Sequence, residues 1–286
     1  MLLVAFASLW AQSTPQNPSP MTDTTRPHTR VSQREIAGRR VELRSLQGAR
    51  LFVSPKFDAK QRPPLVIHFH SAPWLIETHI ADHLPSAALI TVQLGAGSRA
   101  YATPFAREGL FSEMLDEAAK ELGLKNGWSS ITLTAWSAGY GAVRAILRQE
   151  ANFNRVDNVL LLDGMHASYS PEGKPLAEGG VIRSEDLDVF VKFAGEAADG
   201  RKTFVITHSE IFPGTFVSTT EAADHLISAL KLKKSPKLKQ GPMGMQQLSY
   251  VNRGRLYIFG YAGNTAPDHV DHIHAMPAWF KYLRIR

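Results

Sequence analysis

In ITLTAWSAGYGAVRAIL, residues 131–147, an apolar and β-branched run gives way at Ser137 to a run of small residues. Ile131, Thr132, Leu133 and Thr134 favour an extended strand, and Ala142, Val143, Ile146 and Leu147 recur at helical spacing. Ser137 is therefore read at the turn between a strand and a helix. A serine hydroxyl is a weak nucleophile until an imidazole takes its proton, and that imidazole needs an acid to fix its tautomer. The chain carries such groups just after other strand-like runs. Asp163 ends VDNVLLLD, His208 and Glu210 follow KTFVIT, and His269, His272 and His274 lie beyond RLYIFGYAG. His70, Ser71 and Ala72 follow PPLVIHF. The order along the chain is serine, acid, histidine.

The elements that must position these groups are legible as alternating runs. VELR and RLFVSP read as two short strands with a turn near Gly48, and PPLVIHFH, AALITVQL, SSITLTAW, VDNVLLLD, KTFVITH and RLYIFGYAG read as further strands. Between them, Phe105, Leu110, Met114, Ala118 and Leu122 are spaced for one face of a helix. SEDLDVFVKFAGEAA, TEAADHLISALKL and the C-terminus from Pro267 also read as helices. Strands alternating with helices predict an α/β fold with a mostly parallel sheet covered on both faces. In such sheets functional groups gather at the carboxyl ends of the strands. No internal repeat or second composition regime is present, so residues 35–286 are read as one domain.

AWSAG resembles the nucleophile elbow G-x-S-x-G, with Ala135 at the first glycine position and Gly139 at the second. Over roughly residues 40–286 the chain is similar to the α/β-hydrolase superfamily, in particular to serine esterases and lipases. That resemblance implies Ser137 as nucleophile and a histidine after the last strand as base. Pro267 suits a first helical turn, which favours His269, with His274 and His272 as alternatives. It implies Asp163 as the acid, with Glu210 as the alternative. The oxyanion donors would be the N–H of Ala138 and one from the HSAPW loop. Ser71 there replaces the glycine of a His-Gly motif, and Pro73 has no N–H, so Ser71 or Ala72 must donate. Trp74, Trp136, Tyr140 and Phe212 flank these strand ends as candidate pocket residues. The implied reaction is hydrolysis of a carboxylic ester, in a small molecule or a polymer, through an acyl-enzyme without metal or organic cofactor.

Two other classes remain open. HFH (His68, His70) and DHVDHIH could ligate a metal, His269 and His272 sharing a helix face at i, i+3, but neither matches H-E-x-x-H. A catalytically silent binding protein on the same fold is the other. GAGSRAYA lacks the third glycine of a dinucleotide fingerprint and is read as a loop feeding a helix from Pro104. The chain has no cysteine, which removes disulfides and thiolate chemistry. Its net charge of +6 includes seven arginines within residues 26–50 and five lysines in KLKKSPKLK, residues 231–239. Neither block carries interleaved aromatics, so both are read as solvated surface rather than a nucleic-acid site. The apolar start MLLVAFASLWA is read as a signal segment lacking its basic residues, implying export, and is too short to anchor in a membrane. Residues 12–34 are read as a flexible leader. Oligomeric state has no signature in the sequence.

Overall fold

A computed structural model describes residues 27–285. The signal segment and the first part of the leader read from sequence lie outside the described residues. The elements run β1 (Arg39–Glu42), β2 (Ala49–Val53), β3 (Leu65–Phe69), α1 (Pro73–His83), β4 (Ala88–Val92), α2 (Ser98–Phe105) and α3 (Leu110–Glu121). There follow β5 (Ile131–Trp136), α4 (Tyr140–Arg148), α5 (Glu150–Arg155), β6 (Asn158–Leu162) and a small hairpin of β7 (Tyr169–Ser170) and β8 (Val181–Ile182). The last part comprises α6 (Asp188–Ala198), β9 (Thr203–His208), α7 (Thr219–Ala229), β10 (Ser235–Gln240), β11 (Gln246–Arg253), β12 (Leu256–Tyr261), α8 (Ala266–His274) and α9 (Pro277–Phe280).

Ten strands form one sheet in the order β1-β2-β4-β3-β5-β6-β9-β12-β11-β10. The six from β4 to β12 pair in parallel, and antiparallel hairpins extend both ends. Strands β3, β4 and β6 are buried along their whole length, as a sheet covered on both faces requires. Alternate side chains serve two cores. Leu65, Ile67 and Phe69 pack with Phe105, Phe111, Val143 and Phe190, while Val66, Leu89 and Leu160 pack with Ile76, Ile80, Ile273 and Trp279. Each fully buried side chain of this size contributes about 1.5–3 kcal/mol.

The parallel sheet matches the sequence expectation, with three local differences. The helix face drawn from Phe105 to Leu122 belongs to two helices, because Gly109 adopts φ +84° and restarts the chain as α3. GAGSRAYA is not a plain loop, since α2 begins at Ser98 and encloses Pro104 in its last turn. The lysine block contains β10, an exposed edge strand. Its pattern has no apolar alternation from which a strand could be read, and lysines suit an edge that must not recruit another chain.

The arginine-rich segment is a clasp. Arg40 and Arg50 both pair with the buried Glu77 of α1, while Arg34 and Arg39 pair with Asp82 and Glu121. Residues 27–34, read as flexible, lie against α8. His28 and Arg30 bind the Asp271 carboxylate, and the Val31 N–H donates to His274 Nδ1 at 3.0 Å.

Several buried imidazoles give stability a pH dependence. Burial lowers His68 from the ordinary 6.5 to about 3, and lowers His79 and His272 to about 4. Between these folded values and 6.5 the unfolded chain binds more protons than the folded one. Stability therefore falls as pH drops from about 7 towards 4. Urea midpoints at pH 7.5, 6 and 5 are expected to decline in that order, and less steeply in His68→Gln. A midpoint independent of pH over this range would contradict the reading.

Candidate active site

At the carboxyl end of β5, Trp136 is extended (φ −116°, ψ 143°) and the chain then turns through Ser137–Gly139 directly into α4. Ser137 takes φ +49°, a left-handed conformation for a non-glycine residue. His70, just after β3, and Asp163, just after β6, share this feature with φ +69° and +44°. Three adjacent parallel strands thus end in a strained residue, each at a cost of about 1–3 kcal/mol. Glycines make the turns possible. A Cβ on Gly139 would lie 2.2 Å from the Phe69 carbonyl oxygen, and one on Gly164 would lie 2.5 Å from the Ser137 carbonyl oxygen. Gly139 is the second glycine of the elbow motif, whereas Gly164 was not singled out from sequence.

Asp163 is 1 % exposed, and four donors hold its carboxylate. Oδ1 accepts from the Ser209 N–H at 2.8 Å and the Thr219 hydroxyl at 2.7 Å. Oδ2 accepts from the Ser209 hydroxyl at 2.8 Å and from His269 Nδ1 at 2.7 Å. Burial alone would raise the Asp163 carboxyl, but His272, His269 and the Thr219 hydrogen bond outweigh it and hold it well below the usual carboxylate range. The ionised acid accepts only, so the His269 proton sits on Nδ1 and Nε2 carries the lone pair.

His269 is placed by α8. Thr265 caps this helix in a capping box with Asp268, and proline stands at its start. Trp136, the neighbour of Ser137, donates its Nε1–H to the His269 carbonyl at 3.0 Å, and the two rings lie 4.7 Å apart between centroids, tilted by 30°. Trp136 also lies parallel to His70, with 5.4 Å between the ring centroids. His70 Nδ1 is 2.8 Å from the Tyr101 hydroxyl, and burial followed by the nearby His269 lowers its pKa.

The remaining residues singled out from sequence are placed elsewhere. Glu210 meets Gly263 through both its N–H, which donates to the Gly263 carbonyl, and its carboxylate, which accepts the Gly263 N–H. It thereby ties the loop before α8. His272 is buried and its Nδ1 lies 2.6 Å from the Thr207 hydroxyl. His274 faces Val31 on the far side of the helix. His208 contacts Thr220. In the HSAPW loop the Ser71 N–H is already taken by Gln93 Oε1 at 3.0 Å, and Ala72 caps α1.

A cavity of about 460 Å³ opens beside Ser137, lined by His70, Gly97, Ser98, Ala138, Tyr140, His166 and Phe216 among others. Of the four aromatics expected there, Tyr140 lines it. The other three do not: Trp136 contacts the His70 and His269 rings, Trp74 on α1 is partly buried against the core, and Phe212 is 46 % exposed. Phe216 takes the place expected of Phe212. His166 was missed altogether, because it lies in an irregular segment whose position only tertiary contacts define.

The histidines considered as metal ligands have separate partners: His68 contacts Thr134, His70 Tyr101, His269 Asp163 and His272 Thr207. Among the described residues His28, Asp268 and Asp271 bring potential ligand atoms within 4.8 Å of one another. Asp271 is neutralised by Arg30, and Asp268 is engaged in the α8 capping box. No helix among the described residues is long and apolar enough to cross a membrane.

The close approach of Gly139 to Phe69 can be tested by substitution. Gly139 has φ −59°, which any residue can adopt, so backbone conformation sets no barrier to Gly139→Ala, whereas overpacking against the β3 backbone should destabilise by about 1–3 kcal/mol. Urea denaturation is expected to show the loss.

No protein-family model matches the sequence, and the search of curated proteins gives no significant match. Solved structures do match in shape. The feruloyl esterase module from Clostridium thermocellum, complexed with sinapinate, superposes with a TM-score of 0.51 at 12% identity, covering 91% of this chain and 93% of that one. A protein named FAE gives a TM-score of 0.50 at 13% identity, covering 90% of each chain. With its parallel sheet, elbow turn and strand order, the chain has the α/β-hydrolase fold.

Proposed function

We propose that this protein is a serine hydrolase that cleaves a carboxylic ester. The observation that carries the reading is the 2.7 Å hydrogen bond from His269 Nδ1 to the buried Asp163, with the His269 ring 4.7 Å from that of Trp136, the residue next to Ser137. That arrangement supports His269 Nε2 as the base. It takes the Ser137 proton as Oγ bonds to the ester carbonyl carbon. The negative charge moves to the carbonyl oxygen, where the N–H groups of Ala138 and Ala72 are the proposed donors. Ser71 is the weaker choice because its N–H is bound to Gln93. Collapse of the tetrahedral species breaks the bond to the alcohol, which leaves with the proton from His269. Water then attacks the acyl-serine by the same route and releases the acid. One of the similar structures reported above is named a feruloyl esterase, which is in keeping with ester hydrolysis.

The strained backbone at Ser137 adds support, since it is the feature expected where a hydroxyl must be held clear of the sheet. Hydrolysis and labelling by a fluorophosphonate probe test the reading together. Ser137→Ala is expected to abolish both, and peptide mapping should place the adduct on Ser137. Asp163→Asn should lower kcat by about 10⁴-fold through loss of the correct tautomer. Turnover that survives Ser137→Ala in folded protein would overturn the assignment. Export is part of the proposal, on the apolar run MLLVAFASLWA followed by the polar QSTPQNPSP.

A further inference from the structure

Three aromatic rings wall the cavity beside Ser137. His166 meets Tyr140 edge to face at 5.5 Å between centroids, and Phe216 at 5.0 Å and 84°. The lining also includes the small residues Ala96 and Gly97, which leave room beside the rings. Such walls suit a flat apolar ring. The His166 tautomer is fixed from behind. Its Nδ1 lies 2.8 Å from the Val217 carbonyl oxygen, which can only accept. Nδ1 therefore carries the proton, and Nε2 presents a lone pair on a ring that lines the cavity. Burial keeps the ring neutral by lowering its pKa, against smaller opposing effects from Val217 and Asp163. The Tyr140 hydroxyl donates to Ser98 Oγ at 3.3 Å, which leaves it as an acceptor as well.

Which half of an ester would enter follows from the proposed chemistry, on which this inference rests. The leaving alcohol must reach His269 to receive its proton, and His269 is not among the residues that line the cavity. The acyl half is then the one that enters. We infer that His166, with Tyr140 and Phe216, forms an acyl subsite for an aromatic ring bearing a hydrogen-bond donor, the donor being read by His166 Nε2. His166 is a specificity residue in this scheme, touching the substrate away from the reacting carbon.

The test compares methyl 4-hydroxyphenylacetate, methyl 4-methoxyphenylacetate and methyl phenylacetate on the purified full chain. One neutral hydrogen bond corresponds to about a tenfold preference in kcat/KM. The hydroxylated ester is expected to be favoured by that factor over both others, since the methoxy group has no donor. In His166→Phe the ratio should fall to about one, while His166→Gln, which retains an acceptor, should keep part of it. Ratios are compared within each variant, so a general loss of activity cancels. Fluorophosphonate labelling is run on the same preparations. Labelled Ser137 with no discrimination among the esters, or discrimination that persists in His166→Phe, overturns the subsite alone. Absence of labelling overturns the catalytic reading beneath it.

Discussion

A carboxylate sealed from water with four hydrogen-bond donors around it sets the terms for the rest of this structure. An ionised Asp163 without partners would cost several kcal/mol, so its donors must all be present at once. They come from separate parts of the chain: Ser209 after β9, Thr219 at the start of α7, and His269 on α8. Each is fixed by its own local device. Ser218 forms a capping box with Glu221 that positions the first turn of α7, and Thr265 does the same with Asp268 for α8. Glu210 binds the Gly263 backbone and so ties the β9 loop to the segment leading into α8. The satisfaction of one buried charge therefore aligns three elements and fixes the His269 ring.

The second constraint is steric. His70, Ser137 and Asp163 all have positive φ at the ends of neighbouring strands. Their strain is held by a sheet whose central strands are buried on both faces and by glycines that allow backbones to touch. Gly164 lies against the Ser137 backbone and Gly139 against that of Phe69. The acid's turn and the serine's turn are thus in direct contact. Movement of one displaces the other, which is a route by which packing remote from the hydroxyl reaches its position.

Much of this was legible in the chain because parallel strands buried on both faces appear as continuous apolar runs, and Ser137 stands where one of them meets a helical pattern. The choice of His269 rested on Pro267 marking the helix start, and the helix does begin there. Other features depend on which strand ends are neighbours, and a linear pattern does not carry that. Asp163 and Glu210 each follow a strand, and it is Asp163 that hydrogen-bonds His269 in the structure, while Glu210 binds the Gly263 backbone. Phe212 and Phe216 occupy one loop, and their different exposures to the cavity come from its path. His166 has no motif, and its tautomer depends on a carbonyl 51 residues away in sequence. The exposed strand β10 was hidden by its lysines, because an edge strand facing water has no apolar signature.

The claim on which the account turns is that His269 shares its Nδ1 proton with a charged, buried Asp163 while offering Nε2 to Ser137. Proton NMR of the histidine-¹⁵N-labelled protein tests it directly. The account predicts a strongly deshielded proton coupled to His269 Nδ1 that disappears in Asp163→Asn and shifts when Ser137 is phosphonylated. A deshielded proton that survives in Asp163→Asn, or that belongs to His272 and its Thr207 partner, would contradict it.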